Sequence, residues 1–502
     1  RTTVAGYYDH NFITALEKIT DHLGPQPIGS GTPRQKFWKI RAKQVVMAQG
    51  AIERPMLFGD NDRPGVMLAS AVRHYINRYA VLPGGETVVF TNNDNAYLTA
   101  LAVKAAGGKV EVVDIRENPG GPLVNKAKEA GIEVHAGYAV VATRGKKKLH
   151  GVEVRKLSAD GESVTGNSFV ISCDVVAMSS GWNPMVSLFS QARGKLRFDE
   201  ELSSFVPDHC QWPNRSAGAG NGALSLEDCL SQGLEAGALC AQDAGFGDGT
   251  VPEAPVAKSV VEGPKRILWT IPSGHMLGKK VKHFHEFQND ATVADIHLAA
   301  REGFVSVEHL KRYTTTGMGN DQGKTSNVNA LAIMAGIRGV EVPAVGTTTF
   351  RPPYTPVTFG AVAGQNVKEF FIPARKTAMH QSHLDHGAVF EDVGDWKRPW
   401  YFPRNGESMH EAVQRECLAA RTGVGMLDAS TLGKIDIQGP DAAWFLNMIY
   451  TNAWSKLGIG KCRYGLMLNE HGMVFDDGVT TRLGENHFHM TTTTGGAARV
   501  LN

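Results

Sequence analysis

Apolar residues in the first half of the chain form short runs with the length of buried strands, and stretches of helical spacing lie between them. The runs at 87–91 (TVVFT) and 110–115 (VEVVDI) flank a helical stretch at 96–106, which predicts a βαβ unit. Further strands are predicted at 132–135, 151–154, 169–172 and 174–178. Because strands and helices alternate, the pattern predicts an α/β architecture with parallel strand pairing.

The first forty-eight residues show a different pattern. Residues 9–23 (DHNFITALEKITDHL) place Phe12, Leu16 and Ile19 on one face at helical spacing, which predicts an amphipathic helix. Short strands are predicted after it at 37–40 and 44–48.

The hydrophobic pattern also predicts domain boundaries. Residues 251–284 are interrupted by prolines, which cannot sustain a helix or a central strand, and so predict a linker. Residues 1–250 then form the first domain, whose inner βαβ unit covers about 84–170. A helical module at 285–345 follows the linker, and residues 346–502 form an α+β domain with a helix at 408–422. A chain of 502 residues is too long for one core, which agrees with this division.

Composition narrows the classes of partner. The 52 Lys and Arg nearly balance the 50 Asp and Glu, and no basic stripe with aromatic residues predicts a nucleic-acid surface. No apolar run approaches the ~20 residues of a membrane-spanning helix. The six cysteines lie far apart without a CxxC pair, so neither a zinc site nor a disulfide framework is predicted, and no metal is expected. We therefore expect a soluble cytoplasmic protein whose first residue, Arg1, lies inside a longer sequence.

Three segments predict a cofactor site. Residues 44–55 (QVVMAQGAIERP) are a hydrophobic strand that ends in Ala48 and Gly50, and residues 174–184 (DVVAMSSGWNP) repeat this pattern. Small residues at a strand end let a ligand approach the main chain. A glycine-rich turn at 216–222 (SAGAGNG) leads into a helical run at 223–237, an arrangement that directs backbone N–H groups at an anion. The alternative for each segment alone is a buried strand followed by an ordinary turn.

These segments, in this order, resemble the two-dinucleotide-binding flavoproteins of the disulfide-oxidoreductase type over residues 1–247. The resemblance implies that the main chain of Val4 contacts the adenine end of the cofactor. It also implies that the turn at 217–224 caps the other end, and the residues concerned are Ala217, Gly220, Asn221, Gly222 and Leu224. The leading GxGxxG of that family is absent. The inner unit carries residues 91–96 (TNNDNA) where its own glycines should stand, so we expect no nucleotide there.

The helical module resembles the small iron–sulfur (BFD-like) module of amine and amino-acid dehydrogenases. The cysteine positions of that module are held here by Glu286, Gln288, Asp321 and Ser326. Iron–sulfur clusters are normally bound by thiolates, so we expect no cluster. His283 and His285 have no second pair of metal ligands at a recognisable spacing, and we expect them to be solvated loop residues rather than a metal pair.

The C-terminal domain resembles the N-terminal part of the aminomethyltransferases of the glycine cleavage system. The matching segments are 424–430 (VGMLDAS), 433–446 (GKIDIQGPDAAWFL), 460–469 (GKCRYGLMLN) and 472–477 (GMVFDD). The resemblance implies tetrahydrofolate binding, with Asp476 and Asp477 as the catalytic carboxylates. A carboxylate near the folate nitrogens can orient and move a proton. Tyr464 could pack on the pterin or lie in the core, Thr491 could face the folate, and the acidic pair could merely open a turn.

Taken together, the three parts resemble the alpha subunits of heterotetrameric sarcosine oxidases. The resemblance implies oxidative demethylation of sarcosine to glycine with hydrogen peroxide, and transfer of the one-carbon unit to tetrahydrofolate to give 5,10-methylenetetrahydrofolate. It implies NAD in this chain, FAD and covalent FMN in or shared with a beta subunit, and gamma and delta subunits as further partners. Two alternatives stay open: a subunit of another secondary-amine dehydrogenase with FAD in the first site, or a non-catalytic nucleotide-binding scaffold.

Overall fold

The computed structural model describes residues 1–24, 31–257, 262–274, 281–364 and 373–502. The described chain divides into two compact units, Arg1–Val362 and Ala363–Asn502. Residues 258–261 and 275–280 of the predicted linker lie outside the described residues, as do 25–30 and 365–372 of the first and last predicted domains. No helix among the described residues is both long enough and apolar enough to cross a membrane.

A five-stranded parallel sheet, here called the inner sheet, forms the centre of the first unit. Its strands, in spatial order, are Val66–Leu68, Val175–Ser179, Glu86–Thr91, Lys109–Asp114 and Glu133–Ala136. All four neighbouring pairs are parallel, and the α/β prediction is confirmed. Strands buried on both faces read as continuous apolar runs, which is why the sequence revealed them.

Different layers cover the two faces of the inner sheet. The helices Ala69–Tyr79, Tyr97–Ala105 and Pro122–Glu129 bury their apolar faces against one side. An antiparallel sheet packs on the other side and consists of Tyr138–Gly145, Leu149–Leu157 and Val164–Ser172. The strands predicted at 151–154 and 169–172 therefore exist, but they pair antiparallel.

The helix predicted over residues 9–23 is wrong. The segment contains the strand Phe12–Lys18, which lies between Thr2–Tyr7 and Gln35–Arg41 in an antiparallel sheet. Its register is continuous from Phe12 opposite Arg41 to Lys18 opposite Gln35. Three successive residues, from Thr14 to Leu16, are buried, so both faces of the strand are covered. The helical spacing of apolar residues was fortuitous, because cross-strand pairing overrode local periodicity.

Two further pairs of short strands belong to the first unit. Val45–Met47 pairs in parallel with Asn214–Ser216, and Ala51–Glu53 pairs antiparallel with Trp182–Pro184. The remaining elements of this region are the strands Leu196–Asp199 and Ser204–Pro207 and the helices Ser187–Gln191 and Leu226–Asp243.

The helical part of the first unit begins with a hairpin of Phe284–Glu286 and Ala291–Thr292. The helices that follow are Val293–Arg301, Val307–Thr314, Asn327–Arg338, Val342–Val345 and Phe359–Ala363. A capping box of Thr292 and Asp295 begins the first of these helices, and it satisfies N–H groups that would otherwise lack a partner.

The second unit contains a four-stranded antiparallel sheet, here called the C-terminal sheet. Its strands, in spatial order, are Leu432–Gln438, His487–Thr494, Val474–Gly484 and Cys462–Leu468. A smaller sheet contains Arg375–Lys376, Trp396–Tyr401 and Val389–Val393. The helices are His380–Asp385, Met409–Thr422, Ala442–Ile449 and Ala497–Leu501. The helix predicted at 408–422 is present, with Ser408 as its N-cap.

Candidate functional site

Two of the predicted cofactor segments meet in the structure. The N–H of Ala217 donates to the carbonyl of Met47 at 3.0 Å, which places the glycine-rich turn beside the strand end at Ala48. A Cβ built on Gly220 would lie 3.3 Å from both the nitrogen and the oxygen of Gly50, so a larger residue would have to push the two loops slightly apart. Gly50 itself has a φ of 76°, and a Cβ built there meets nothing within 4 Å. We call this contact the outer junction.

The glycine-rich turn differs in detail from the prediction. Residues Gly218–Asn221 form a short 3-10 helix, and the following helix begins at Leu226 rather than at 223. Ser225 caps that helix by accepting from the N–H of Asp228 at 3.0 Å. Half-buried Leu224 therefore lies between the two helices. Ser225 thus satisfies one of the free N–H groups at this N-terminus, and the anion site predicted at the turn stays a prediction.

A cavity of about 480 Å³ lies beside this turn, and its lining includes Asn221, Ser216 and Gln232. The amide of Gln232 accepts from the N–H of Gly218 at 3.0 Å and from the side-chain amide of Asn221 at 3.3 Å. The buried hydroxyl of Ser216 has no hydrogen-bond partner among the described residues. Gly222 turns the chain with a φ of 90°. The space and the unpaired hydroxyl are compatible with a polar ligand at the outer junction.

Val4 lies on the strand Thr2–Tyr7, where it pairs with Ala15. Its carbonyl accepts from the hydroxyl of Thr355 at 3.2 Å, so this main-chain oxygen is already engaged within the protein. Three residues later, the hydroxyl of Tyr7 accepts from the side chain of Asn214 at 3.3 Å, which links the strand to the outer junction.

The inner sheet ends in a buried charge cluster that the sequence reasoning missed. Arg116 is within 2.7 Å of a carboxylate oxygen of Asp94 and of Asp114. The hydroxyl of Tyr97 donates to Asp114 at 2.9 Å, and all three charged side chains are at most 7% exposed. Burial alone would lower the pKa of Arg116, but the two carboxylates raise it. The available signal was Asp114 and Arg116 at the end of the predicted strand 110–115.

A segment of the predicted linker covers this cluster. The N–H of Gly263 donates to Asp94 at 2.7 Å, and the side chain of Asn92 donates to the carbonyl of Arg266 at 2.8 Å. The guanidinium of Arg266 in turn donates to the carbonyl of Ile115 at 3.0 Å. These contacts lie at the carboxyl ends of the parallel strands, where this fold class binds nucleotides. We call this edge of the inner sheet the inner crevice. It is occupied by the protein's own chain.

The four positions that hold cysteines in iron–sulfur modules are joined by hydrogen bonds here. Glu286 accepts from the hydroxyl of Ser326 at 3.1 Å, and Gln288 accepts from the N–H of Asp321 at 3.5 Å. Glu286 is 2% exposed and Ser326 is fully buried. That the module binds no iron–sulfur cluster stays a prediction. It is supported by the carboxylate, amide and hydroxyl groups that form hydrogen bonds with one another at the positions where a cluster would need thiolates.

The prediction of solvated histidines is wrong. His283 and His285 flank Phe284 at the hairpin, and both are buried. His283 lies 3.1 Å from the hydroxyl of Thr270, and His285 lies 2.8 Å from that of Thr316. Burial lowers the pKa of each imidazole to about 4. The two side chains are neutral packing residues, because the module folds over a segment that looked like a loop.

No metal was predicted, and one set of three potential ligands lies close together in the inner sheet. Ligand atoms of Glu111, Glu133 and His135 all lie within 4.8 Å of one another. His135 Nε2 lies 2.8 Å from a carboxylate oxygen of Glu111, and this hydrogen bond accounts for their proximity without a metal.

The C-terminal sheet separates the two acidic residues that the sequence placed together. Asp476 pairs with the core residue Met467, is 5% exposed, and accepts from the hydroxyl of Thr493 at 2.6 Å. Asp477 pairs with Leu466 on the opposite face, because successive side chains of a strand alternate. One carboxylate therefore belongs to the core, and the other is available to a ligand.

Tyr464 and Thr491 lie on the same sheet face as Asp477. The Tyr464 hydroxyl donates to the carboxylate of Asp477, and this bond raises the pKa of the tyrosine. The ring of Tyr464 is 57% exposed, which rules out its assignment to the core. Thr491 accepts from the N–H of Val479 at 2.9 Å. Of the four residues predicted to face folate, three thus share one accessible face.

Comparisons with known proteins match two regions of the chain to family models and the whole chain to curated relatives. Residues 280–365 match the sarcosine oxidase A3 domain, and residues 379–502 match the GCVT N-terminal domain. The chain is 49% identical over 507 residues to the sarcosine oxidase subunit alpha of Corynebacterium sp. (strain P-1), a match that covers 100% of this chain and 52% of the relative. It is 43% identical over 509 residues to that of Rhizobium meliloti (strain 1021), covering 100% of this chain and 49% of the relative.

The chain therefore has homologues among sarcosine oxidase alpha subunits along its whole length, and it spans about half the length of these curated relatives. Among solved structures, the L-proline dehydrogenase from P. horikoshii aligns with a TM-score of 0.52 at 19% identity, over 72% of this chain and 64% of that one. At this identity the likeness shows the fold alone, a Rossmann-like α/β arrangement.

Proposed function

We propose that this chain is part of the alpha subunit of a cytoplasmic heterotetrameric sarcosine oxidase, with beta, gamma and delta subunits as its partners. In this proposal the complex oxidises the N-methyl group of sarcosine, releases glycine and reduces oxygen to hydrogen peroxide. The one-carbon unit passes to tetrahydrofolate on this chain and gives 5,10-methylenetetrahydrofolate. The support is identity of 43–49% to such alpha subunits along all 502 residues.

The first unit would hold NAD at the outer junction, with FAD and covalent FMN in or shared with the beta subunit. Open space at Gly50 and the tight contact at Gly220 fit a ligand that approaches the main chain there. When bound, a dinucleotide supplies hydride chemistry, but in this proposal it is structural. In this proposal the inner crevice, which holds the buried charges of Asp94, Arg116 and Asp114, binds no nucleotide.

The second unit would carry out the one-carbon step. The observation that carries this proposal is the pairing of Asp477 with Tyr464 on the accessible sheet face, beside Thr491. The carboxylate of Asp477 would orient a protonated folate nitrogen and accept its proton as the methylene bridge closes. The hydroxyl of Tyr464 holds that carboxylate in place. Confining the one-carbon unit beside its acceptor raises their effective concentration.

The test is the substitution Asp477→Asn in the assembled full-length enzyme. We expect the yield of 5,10-methylenetetrahydrofolate per sarcosine oxidised to fall by about a hundredfold or more, the usual scale for loss of a general acid–base group. Formation of glycine should stay unchanged, because the oxidation occurs elsewhere. Tyr464→Phe, which removes only the hydroxyl that positions Asp477, should give a smaller loss.

Two results would contradict the assignment. An unchanged yield from the Asp477→Asn enzyme would show that Asp477 is not the catalytic carboxylate. If instead the Asp476→Asn enzyme is folded and it alone loses the yield, the catalytic carboxylate is Asp476, on the core face of the sheet. Mass identification of the cofactors released from the complete complex tests the NAD assignment separately.

A further inference from the structure

A small cavity of the first unit shares no residue with the outer junction or with the C-terminal sheet. Its volume is about 60 Å³, and it lies between residues 183–187 and the helix Asn327–Arg338. Among the described residues, no Asp or Glu lines it. Most of its wall is apolar and includes Ile52, Val186, Phe205, Leu331 and Phe350. We call it the apolar cavity.

The side-chain amide of Asn183 has a defined orientation in the wall of this cavity. Its oxygen accepts from Nε of Arg54 at 2.8 Å and from the hydroxyl of Ser204 at 3.3 Å. Because two donors hold the oxygen, the NH2 group is the end of the amide that remains for another partner. Asn183 is 4% exposed, and its Nδ2 has no hydrogen-bond partner among the described residues. A buried donor in this position favours an acceptor inside the cavity.

Two cationic side chains favour an acceptor with a negative charge. Arg54 is 1% exposed, and its Nη1 has no hydrogen-bond partner among the described residues. Burial lowers the pKa of its guanidinium to about 9, and no carboxylate of the described residues raises it. Lys324 lines the cavity itself. Burial also lowers the pKa of Lys324, and the negative charge of Asp321 offsets this only in part. Buried charges in proteins are normally paired, so this region favours an anion.

We propose that the apolar cavity binds a carboxylate monoanion of about two or three carbons. The carboxylate accepts from the NH2 group of Asn183 and pairs with the ammonium of Lys324, while the hydrocarbon end packs against the apolar wall. The volume agrees with a ligand of this size. One water needs about 10–15 Å³ of such space, so the cavity admits about four non-hydrogen atoms, the number in acetate.

Other anions fit the lining less well. An amino acid would bring an ammonium group, and no carboxylate lines the cavity to pair with it. A phosphate dianion would place more negative charge against apolar walls than one ammonium can neutralise. The proposal does not depend on the sarcosine oxidase assignment, because it concerns different residues and its readout is carboxylate binding alone.

The test uses the complete chain, dialysed free of carboxylate buffers and titrated with acetate by calorimetry at constant ionic strength. We expect one acetate per chain with a dissociation constant of about 0.1–1 mM, the range open to a ligand of so few atoms. Acetamide has nearly the same shape but no charge. It should bind at least about tenfold more weakly, since hydrogen bonds and ion pairs to a charged group are stronger.

The most informative variant is Asn183→Asp. The new carboxylate keeps the shape of the amide and pairs with Arg54, so the midpoint of thermal unfolding should not fall. Its negative charge should repel acetate from the cavity and weaken binding by about a hundredfold. Lys324→Met keeps the length of the side chain but removes its charge, and it should weaken acetate binding by about tenfold.

The matched control is Lys311→Met. Lys311 is another lysine whose pKa is lowered by burial, but it lies outside the lining of the cavity, so the affinity for acetate should not change. Four results would each overturn the proposal: no acetate binding, equal binding of acetamide and acetate, full affinity in folded Asn183→Asp protein, or equal losses in the two lysine variants. Far-UV circular dichroism establishes that the variants are folded.

Discussion

The inner crevice and the outer junction are both strand ends of a nucleotide-binding type of fold, but they contrast in chemistry. At the inner crevice, Arg116 is buried between Asp94 and Asp114, and Gly263 donates to Asp94. At the outer junction, Gly50 and Gly220 bring two main chains together beside open space. The inner crevice is filled by charged side chains that pair with one another. The outer junction is formed by two glycines, whose lack of a side chain lets the main chains approach.

The contrast shows how the end of a parallel sheet can be closed by the protein's own buried charges. A buried charge stays in a protein only when it is paired, so the cluster at Arg116 needs all of its members. Once residues 262–266 complete that arrangement, a nucleotide would have to displace several hydrogen bonds to enter. At the outer junction nothing lies within 4 Å of a Cβ built on Gly50, and this open space is the reason we propose the cofactor there.

The largest expected effect comes from Arg116→Ala. This change leaves the carboxylates of Asp94 and Asp114 buried without a cation, and we expect it to lower the free energy of unfolding by about 3–5 kcal/mol. Denaturant-induced unfolding of the first unit measures the loss. The control is Arg144→Ala, which removes an exposed pair with Glu153 and should cost less than about 1 kcal/mol. An equal loss of unfolding free energy in both variants would mean that the buried charge cluster stabilises the protein no more than an exposed ion pair does.

An intermediate effect is expected from Gly220→Ala at the outer junction. The added Cβ would press on the main chain of Gly50, which we expect to cost about 2–3 kcal/mol and to weaken NAD binding by about tenfold. Calorimetric titration with NAD on the full-length protein measures the second quantity. Gly233→Ala is the matched control, because it lies in the helix Leu226–Asp243 with nothing within 4 Å of its Cβ. Undiminished NAD affinity in Gly220→Ala protein would place the cofactor elsewhere.

The smallest effect is expected from Asn92→Ala, which releases Arg266 from the edge of the inner crevice. The loss of buried hydrogen bonds should lower the free energy of unfolding by about 1–2 kcal/mol, whereas NAD affinity should not change. Exposed Asn125 provides the control, since Asn125→Ala should alter neither quantity. A gain or loss of NAD binding in the Asn92→Ala protein would show that the inner crevice does take part, and the contrast would fail.

The sequence alone correctly predicted the elements whose residues are buried in the same way along the whole element. The run at 87–91 and the helix at 96–106 appear as Glu86–Thr91 and Tyr97–Ala105, because continuous apolar runs and helical spacing report the same environment along the whole element. The strand Phe12–Lys18 was mistaken for a helix, because its pairing partner lies some twenty residues away and no local signal represents it.

The amino-acid sequence by itself determined the α/β class, the small residues at Ala48, Gly50 and Gly220, the lack of thiolates in the helical module, and the candidate folate residues. Tertiary structure alone decided that His283 and His285 are buried and that Arg116 closes the inner crevice. It also decided that Asp476 belongs to the core whereas Asp477 faces outward. The physical reason is the same in each case. Residue type and spacing limit what a side chain can do, but burial, register and charge pairing depend on distant segments that only the folded chain brings into contact.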